Sequence, residues 1–173
     1  MQLQKHLYLI GFMGVGKTST SKQLGKKLGA AELDTDEMIV EKEGKSIPDI
    51  FADSGEEYFR GLETGILDDL AKMEPCIVSC GGGMALRKEN VKKMKQTGVV
   101  VFLVADPETI YLHVKDSNDR PLLNGHMNVP YIAGMMEKRE PKYQEAADII
   151  IKTDGYLPFQ IADQIIEILE KRI

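Results

Sequence analysis

The sequence predicts an α/β domain in which a parallel sheet is covered by helices on both faces. Three observations carry that prediction. Short, apolar, β-prone runs recur along the chain, segments of helical period stand between them, and glycine or proline marks most of the junctions. At 173 residues the chain has the size of one domain, spanning 1–173, and it shows no internal repeat or linker.

The elements follow in order. His6 to Ile10 is an apolar run closed by Gly11, so it is a buried strand ending in a turn. After Gly16, Leu24 and Leu28 recur at helical spacing among lysines until Gly29 ends the helix. Ala31 to Asp34 fits a second strand and Asp36 to Glu43 a helix stopped by Gly44. From Gly55 to Met73, Phe59, Leu62, Ile66, Leu67 and Leu70 mark one helical face. Pro75 opens a third strand, Cys76 to Cys80, which ends at Gly81-Gly82-Gly83. Leu86 to Lys95 reads as a basic amphipathic helix and Val99 to Val104 as a fourth strand, and Pro107 opens the next helix at a favoured first-turn position. Periodicity dissolves between Lys115 and Pro130, a polar stretch that reads as a mobile loop, and returns as a helix over Tyr131 to Tyr143. Ala147 to Lys152 supplies a fifth strand and Pro158 to Lys171 a closing helix.

Composition bounds the function. Apolar residues make up 43% and charged residues 28%, as in folded soluble proteins. Against 22 basic residues stand 27 acidic ones, a net charge of -5, so there is no global positive field for nucleic acid or anionic lipid. An anionic ligand must therefore be held by local groups. Cys76 and Cys80 are too few for a disulfide scaffold and read as packing, consistent with a reducing compartment. The longest apolar run, Gly98 to Ala105, is far short of the about 20 residues of a membrane span. The N-terminus shows no signal-peptide pattern, and a cytoplasmic location is expected.

The strongest motif is Gly11-Phe12-Met13-Gly14-Val15-Gly16-Lys17-Thr18, which matches G-x-x-x-x-G-K-[ST] between a strand and a helix. Glycines there let successive N–H groups and the helix N-terminus converge on one anion. Lys17 would reach the β- and γ-phosphates of a nucleotide, and the Thr18 hydroxyl would ligate magnesium. Asp34 and Asp36, two apart at the end of the second strand, would in extended conformation project from one face toward that anion. One carboxylate can hold hydrated magnesium while the other takes a proton from an attacking hydroxyl. An equal alternative is that Asp36 merely caps the next helix.

Gly81, Gly82 and Gly83 offer backbone donors without side chains, which would admit a polyhydroxylated substrate closely, unless they serve only as a turn. Arg60, Arg120 and Arg139 are, taken singly, ordinary surface cations. Arg120 is better placed than most, in a polar loop that could close over phosphates. His6, His113 and His126 have no metal-ligand spacing. The lysines at 88, 92, 93 and 95 read as a solvated helix face.

In this order the motifs resemble those of the shikimate kinases over nearly the whole chain. The carriers are Gly11 to Thr18, Asp34-Thr35-Asp36, Phe59-Arg60, Gly81-Gly82-Gly83 with Leu86-Arg87, Arg120-Pro121-Leu122-Leu123, and Arg139 with Tyr143. The resemblance implies a P-loop, nucleoside-monophosphate-kinase-like fold with a five-stranded parallel sheet, a substrate-binding region at about 34–61 and a lid at about 115–130. It implies transfer of the ATP γ-phosphoryl to the 3-hydroxyl of shikimate, with Mg2+, in the route to chorismate and the aromatic amino acids. Gly14, Val15, Gly16, Lys17, Thr18, Ser19 and Arg120 would hold ATP, and Thr18 and Asp34 the magnesium. Asp36 would bind the ring hydroxyls as candidate base, Arg60 and Arg139 would clamp the carboxylate, and Gly81 to Gly83 would line the ring. Lys17, Asp36 and Arg120 would carry catalysis. Partners beyond shikimate and ATP are not expected, and the enzyme would be a monomer.

Two positions depart from the family pattern. His113 stands where the family often has an arginine on adenine, and Gly155-Tyr156 lacks a second one, leaving Tyr156 as a residue that could stack there. The rival readings are another small-molecule kinase of the same fold, for gluconate or a nucleotide, and a nucleotide-binding regulatory domain without turnover.

Overall fold

The computed structural model describes residues 2–116, 123 and 125–172. Part of the expected lid, including Arg120, therefore lies outside the described residues. Strands β1 (His6–Ile10), β2 (Glu32–Asp34), β3 (Ile77–Ser79), β4 (Gly98–Val104) and β5 (Ile149–Lys152) form one sheet in the order β2-β3-β1-β4-β5. All four pairings are parallel. The helices are α1 (Lys17–Leu28), α2 (Thr35–Glu43), α3 (Ile47–Leu70), α4 (Lys88–Thr97), α5 (Pro107–Val114), α6 (Val129–Ala146) and α7 (Pro158–Glu170).

The central strand shows why the sheet is covered twice. All five residues of β1 are buried. Side chains alternate across a strand, so Leu7 and Leu9 enter one core with Leu24 of α1, Ile110 of α5 and Ile161 and Ile165 of α7. Tyr8 and Ile10 enter the other core with Ile66 and Leu70 of α3, Met94 of α4 and Tyr143 of α6. Fully burying such a side chain contributes about 1.5–3 kcal/mol, and β1 supplies both layers at once.

Several boundaries differ from the sequence reading, each for a local reason. Helix α3 starts at Ile47 rather than Gly55: Ser46 Oγ accepts from the Asp49 N–H at 3.2 Å, and Pro48 sits in the first turn. Gly55, at φ 82° and ψ 173°, kinks the helix into two pieces, and only the longer piece has a long enough apolar period to read. Helix α6 extends back to Val129 because Asn128 caps it, its Oδ1 accepting from the Tyr131 N–H at 2.9 Å. Before α4, the chain makes a 3-10 turn at Met84–Leu86, so the helix begins at Lys88 rather than Leu86.

Both cysteines are free and buried, as the packing reading expects. Burial pushes the Cys76 thiol up to about 11 and the Cys80 thiol further still, so neither is a thiolate at neutral pH. Among the described residues, no helix is long and apolar enough to cross a membrane.

Candidate active site

The carboxyl ends of β1, β2 and β3 lie side by side, and a cleft of about 520 Å³ opens above them. Its floor is the loop from β1 to α1. Gly11 there has φ 147°, and a Cβ would come within 2.5 Å of the Leu103 carbonyl, so no side chain fits where the chain leaves the sheet. Lys17, only 8% exposed, folds back along the loop. Its ammonium donates to the carbonyls of Gly11 at 2.7 Å and Phe12 at 3.1 Å. Val15, Gly16, Thr18 and Ser19 line the same floor.

The acidic pair needs correction. The two carboxylates do not project from one extended strand, because β2 ends at Asp34 and Asp36 lies in the first turn of α2. Asp34, not Asp36, is the cap: its Oδ1 accepts from the N–H groups of Asp36 at 2.9 Å and Glu37 at 3.3 Å. The other oxygen, Oδ2, accepts from the Thr18 hydroxyl at 3.0 Å. Ser79 Oγ lies 3.2 Å from the same hydroxyl. One carboxylate and two hydroxyls thus meet beside the loop. Among the described residues there is no cluster of three or more His, Cys, Asp or Glu suited to a metal. This donor set suits magnesium, which commonly takes one or two carboxylates and completes its shell with water and phosphate.

Asp36 is released from capping and faces the glycine run. A Cβ on Gly81 would lie 2.8 Å from Asp36 Oδ1 and 3.0 Å from Glu63 Oε2. Thr35, fully buried, fixes this approach by accepting the Gly81 N–H at 2.9 Å. The arginines arrive from different helices. Arg60 of α3 reaches Gly83, where any side chain would overlap its guanidinium, and Arg139 Nη1 of α6 would lie 3.6 Å from a Cβ on Gly82. Arg139 also stands over the Phe12 ring, 5.5 Å from its centroid. Lys17, Thr18, Asp34, Asp36, Gly81 and Gly82 line the cleft itself, and Arg60, Gly83 and Arg139 close on its glycine wall.

Sequence reasoning overlooked Glu63, which is fully buried. Its Oε1 accepts from Arg60 at 2.6 Å, and Oε2 has no hydrogen-bond partner among the described residues. Burial raises the Glu63 pKa, with the Arg60 charge opposing it. For Arg60, burial disfavours the charge but the pairs with Glu63 and Glu56 more than offset it, so its pKa is raised. Two buried polar atoms beside the glycines, Glu63 Oε2 and Arg139 Nη1, have no hydrogen-bond partner among the described residues. Such atoms are costly unless something else satisfies them. A signal existed: Glu63 falls between Phe59 and Ile66 on the apolar stripe of α3, where a lone acid is out of place. Ser79, at the end of an otherwise apolar strand, is a second missed residue.

The far end of the cleft is lined by His113, Thr153, Tyr156, Leu157, Pro158 and Ile161. His113 Nδ1 pairs with the Gly14 carbonyl at 2.6 Å, joining α5 to the phosphate loop. Tyr156 is half exposed at 51% and available as a stacking face.

A family model described as shikimate kinase matches residues 13–170. A shikimate kinase of Persephonella marina is 41% identical over 162 residues, covering 94% of this chain and 97% of the relative. One of Dehalococcoides mccartyi is 37% identical over 171 residues, covering 99% and 97%. The solved structure of Acinetobacter baumannii shikimate kinase in complex with shikimate matches with a TM-score of 0.93 at 32% identity, covering 97% of this chain and 94% of that one. Matched over nearly its whole length in sequence and in fold, this chain belongs to the shikimate kinase family.

Proposed function

We infer that this chain transfers the γ-phosphoryl group of ATP to the 3-hydroxyl of shikimate, giving shikimate 3-phosphate and ADP on the route to chorismate and the aromatic amino acids. The observation that carries the reading is one continuous cleft with a phosphate loop at its floor and Asp36, not engaged in capping, on its glycine wall.

The loop N–H groups from Gly14 to Ser19 cradle the phosphates, and Lys17 swings from the loop carbonyls to their charge. Thr18 and Asp34 would hold magnesium, which when bound neutralises charge on the β- and γ-phosphates. Asp36 orients the attacking hydroxyl and accepts its proton. Arg60 and Arg139 clamp the substrate carboxylate, where planar guanidinium groups bind bidentately. Gly81 to Gly83 lie against the ring, which needs a wall without side chains. His113 and Tyr156 flank the base, and Arg120 closes over the phosphates. Catalysis is then chiefly positioning and charge stabilisation.

The reading extends to one domain over 1–173 with a substrate-binding region at about 34–61 and a lid at about 115–130. It also includes a monomeric, cytoplasmic enzyme without nucleic-acid or membrane partners, supported by the net charge of -5. Coupled ADP release with ATP and magnesium, with and without shikimate, tests the function on the parent, Asp36→Asn and Arg139→Ala. Shikimate-dependent turnover that collapses in both variants is expected. A parent that binds ATP yet ignores shikimate overturns the reading.

A further inference from the structure

Tyr143 lies one helical turn beyond Arg139 on α6 and is 2% exposed. Its ring packs on Phe102 of β4 with centroids 5.1 Å apart, and its hydroxyl donates to the carbonyl of Gly82. Burial raises the phenol's pKa, with the Arg139 guanidinium opposing, so at neutral pH the hydroxyl keeps its proton and acts as a donor.

We propose that Tyr143 is a positioning residue for the acceptor substrate, holding the Gly82–Gly83 peptide against α6 so that the glycine wall and Arg139 keep one spacing. The proposal rests on the shikimate reading above. Glycine has the widest backbone freedom of any residue, and three in a row are poorly held by the chain alone. The start of the run is pinned by Thr35 through the Gly81 N–H and by the Met84 N–H on the Gly81 carbonyl at 3.0 Å. Its end is pinned by the Leu86 N–H on the Gly83 carbonyl at 3.2 Å. Between them, the Gly82 carbonyl is held by Tyr143. In a trans peptide, C=O and N–H point oppositely, so turning this carbonyl toward α6 aims the Gly83 N–H away from it. The residue that sets this plane stands on the same helix as Arg139, whose Nη1 faces Gly82. One hydroxyl therefore ties a substrate-facing peptide to a substrate-facing guanidinium. If Tyr143 were only core filling against Phe102, phenylalanine would serve as well.

The test compares Tyr143→Phe and Phe102→Leu with the parent for kcat, for KM of shikimate and of ATP, and for thermal unfolding with and without shikimate. Tyr143→Phe should raise the KM for shikimate about tenfold, the equivalent of one lost buried hydrogen bond. Its kcat should stay within about threefold, its KM for ATP should be unchanged, and the shikimate-induced rise in Tm should shrink. Phe102→Leu, which loosens the ring but spares the hydroxyl, should lower Tm and leave the KM for shikimate within about twofold. A parental KM for shikimate in Tyr143→Phe overturns the proposal. So does a parallel rise in both KM values, or a Tyr143→Phe protein that no longer unfolds cooperatively, since either makes the hydroxyl a general folding contact. A parent without shikimate-dependent turnover sinks the functional reading instead.

Discussion

The donor half of the cleft is made mainly of consecutive residues on one loop and the helix start that follows it, whereas the acceptor half is made of single side chains from α2, α3 and α6 set against the glycine turn after β3. From Gly11 to Ser19 the proposed phosphate cradle is one contiguous stretch of chain, and Lys17 is held by carbonyls five and six residues earlier. On the acceptor side, Asp36, Arg60, Glu63, Gly81 and Arg139 are scattered between positions 36 and 139 of the sequence and meet only around the glycine run. A local cradle tolerates changes elsewhere in the fold. A composite wall depends on the hydrogen bonds that align its parts.

That contrast can be broken most sharply at Lys17. Lys17→Ala should reduce turnover about a thousandfold or more and abolish the ATP–magnesium rise in Tm. The shift caused by shikimate should survive, and its loss would show that the halves are not separable. Asp36→Asn comes next: kcat should fall about 10²- to 10⁴-fold as proton acceptance is lost, with stabilisation by ATP retained in thermal unfolding. For Arg139→Ala the expected change is a rise of about a hundredfold in the KM for shikimate, as for truncation of one buried charged partner, with the KM for ATP within about threefold in steady-state kinetics.

Thr35→Val sharpens the comparison, because it leaves every side chain proposed to touch substrate in place. It removes only the acceptor for the Gly81 N–H, so it should cost about 1–3 kcal/mol in denaturant unfolding and weaken shikimate more than ATP. The smallest effect concerns Glu63. Burial, its largest influence, raises its pKa in the fold above the ordinary carboxyl value, so the folded state keeps this proton to higher pH than the unfolded chain. The stability from this group is complete below the ordinary carboxyl pKa and declines as pH rises through the raised value. Glu63→Gln removes that decline, and its Tm relative to the parent should improve as pH rises from about 4 to about 7. A constant difference across that range would contradict the burial argument.

The order of strands and helices and the phosphate loop with Lys17 and Thr18 were legible in the chain before folding, because these depend on periodicity, glycine conformation and a contiguous motif. Family resemblance added Arg60 and Arg139, which spacing alone leaves among ordinary surface cations. The tertiary structure was needed to show that Asp34 rather than Asp36 caps α2: β2 ends at Asp34 and the chain turns at once into α2, so one carboxylate serves both the helix and Thr18. It also decided the partners of Glu63 and Tyr143, whose roles follow from contacts with Arg60 three residues away and with Gly82 sixty-one residues away. Local chemistry is written in neighbouring residues; a wall assembled from four elements exists only once the sheet has brought their ends together.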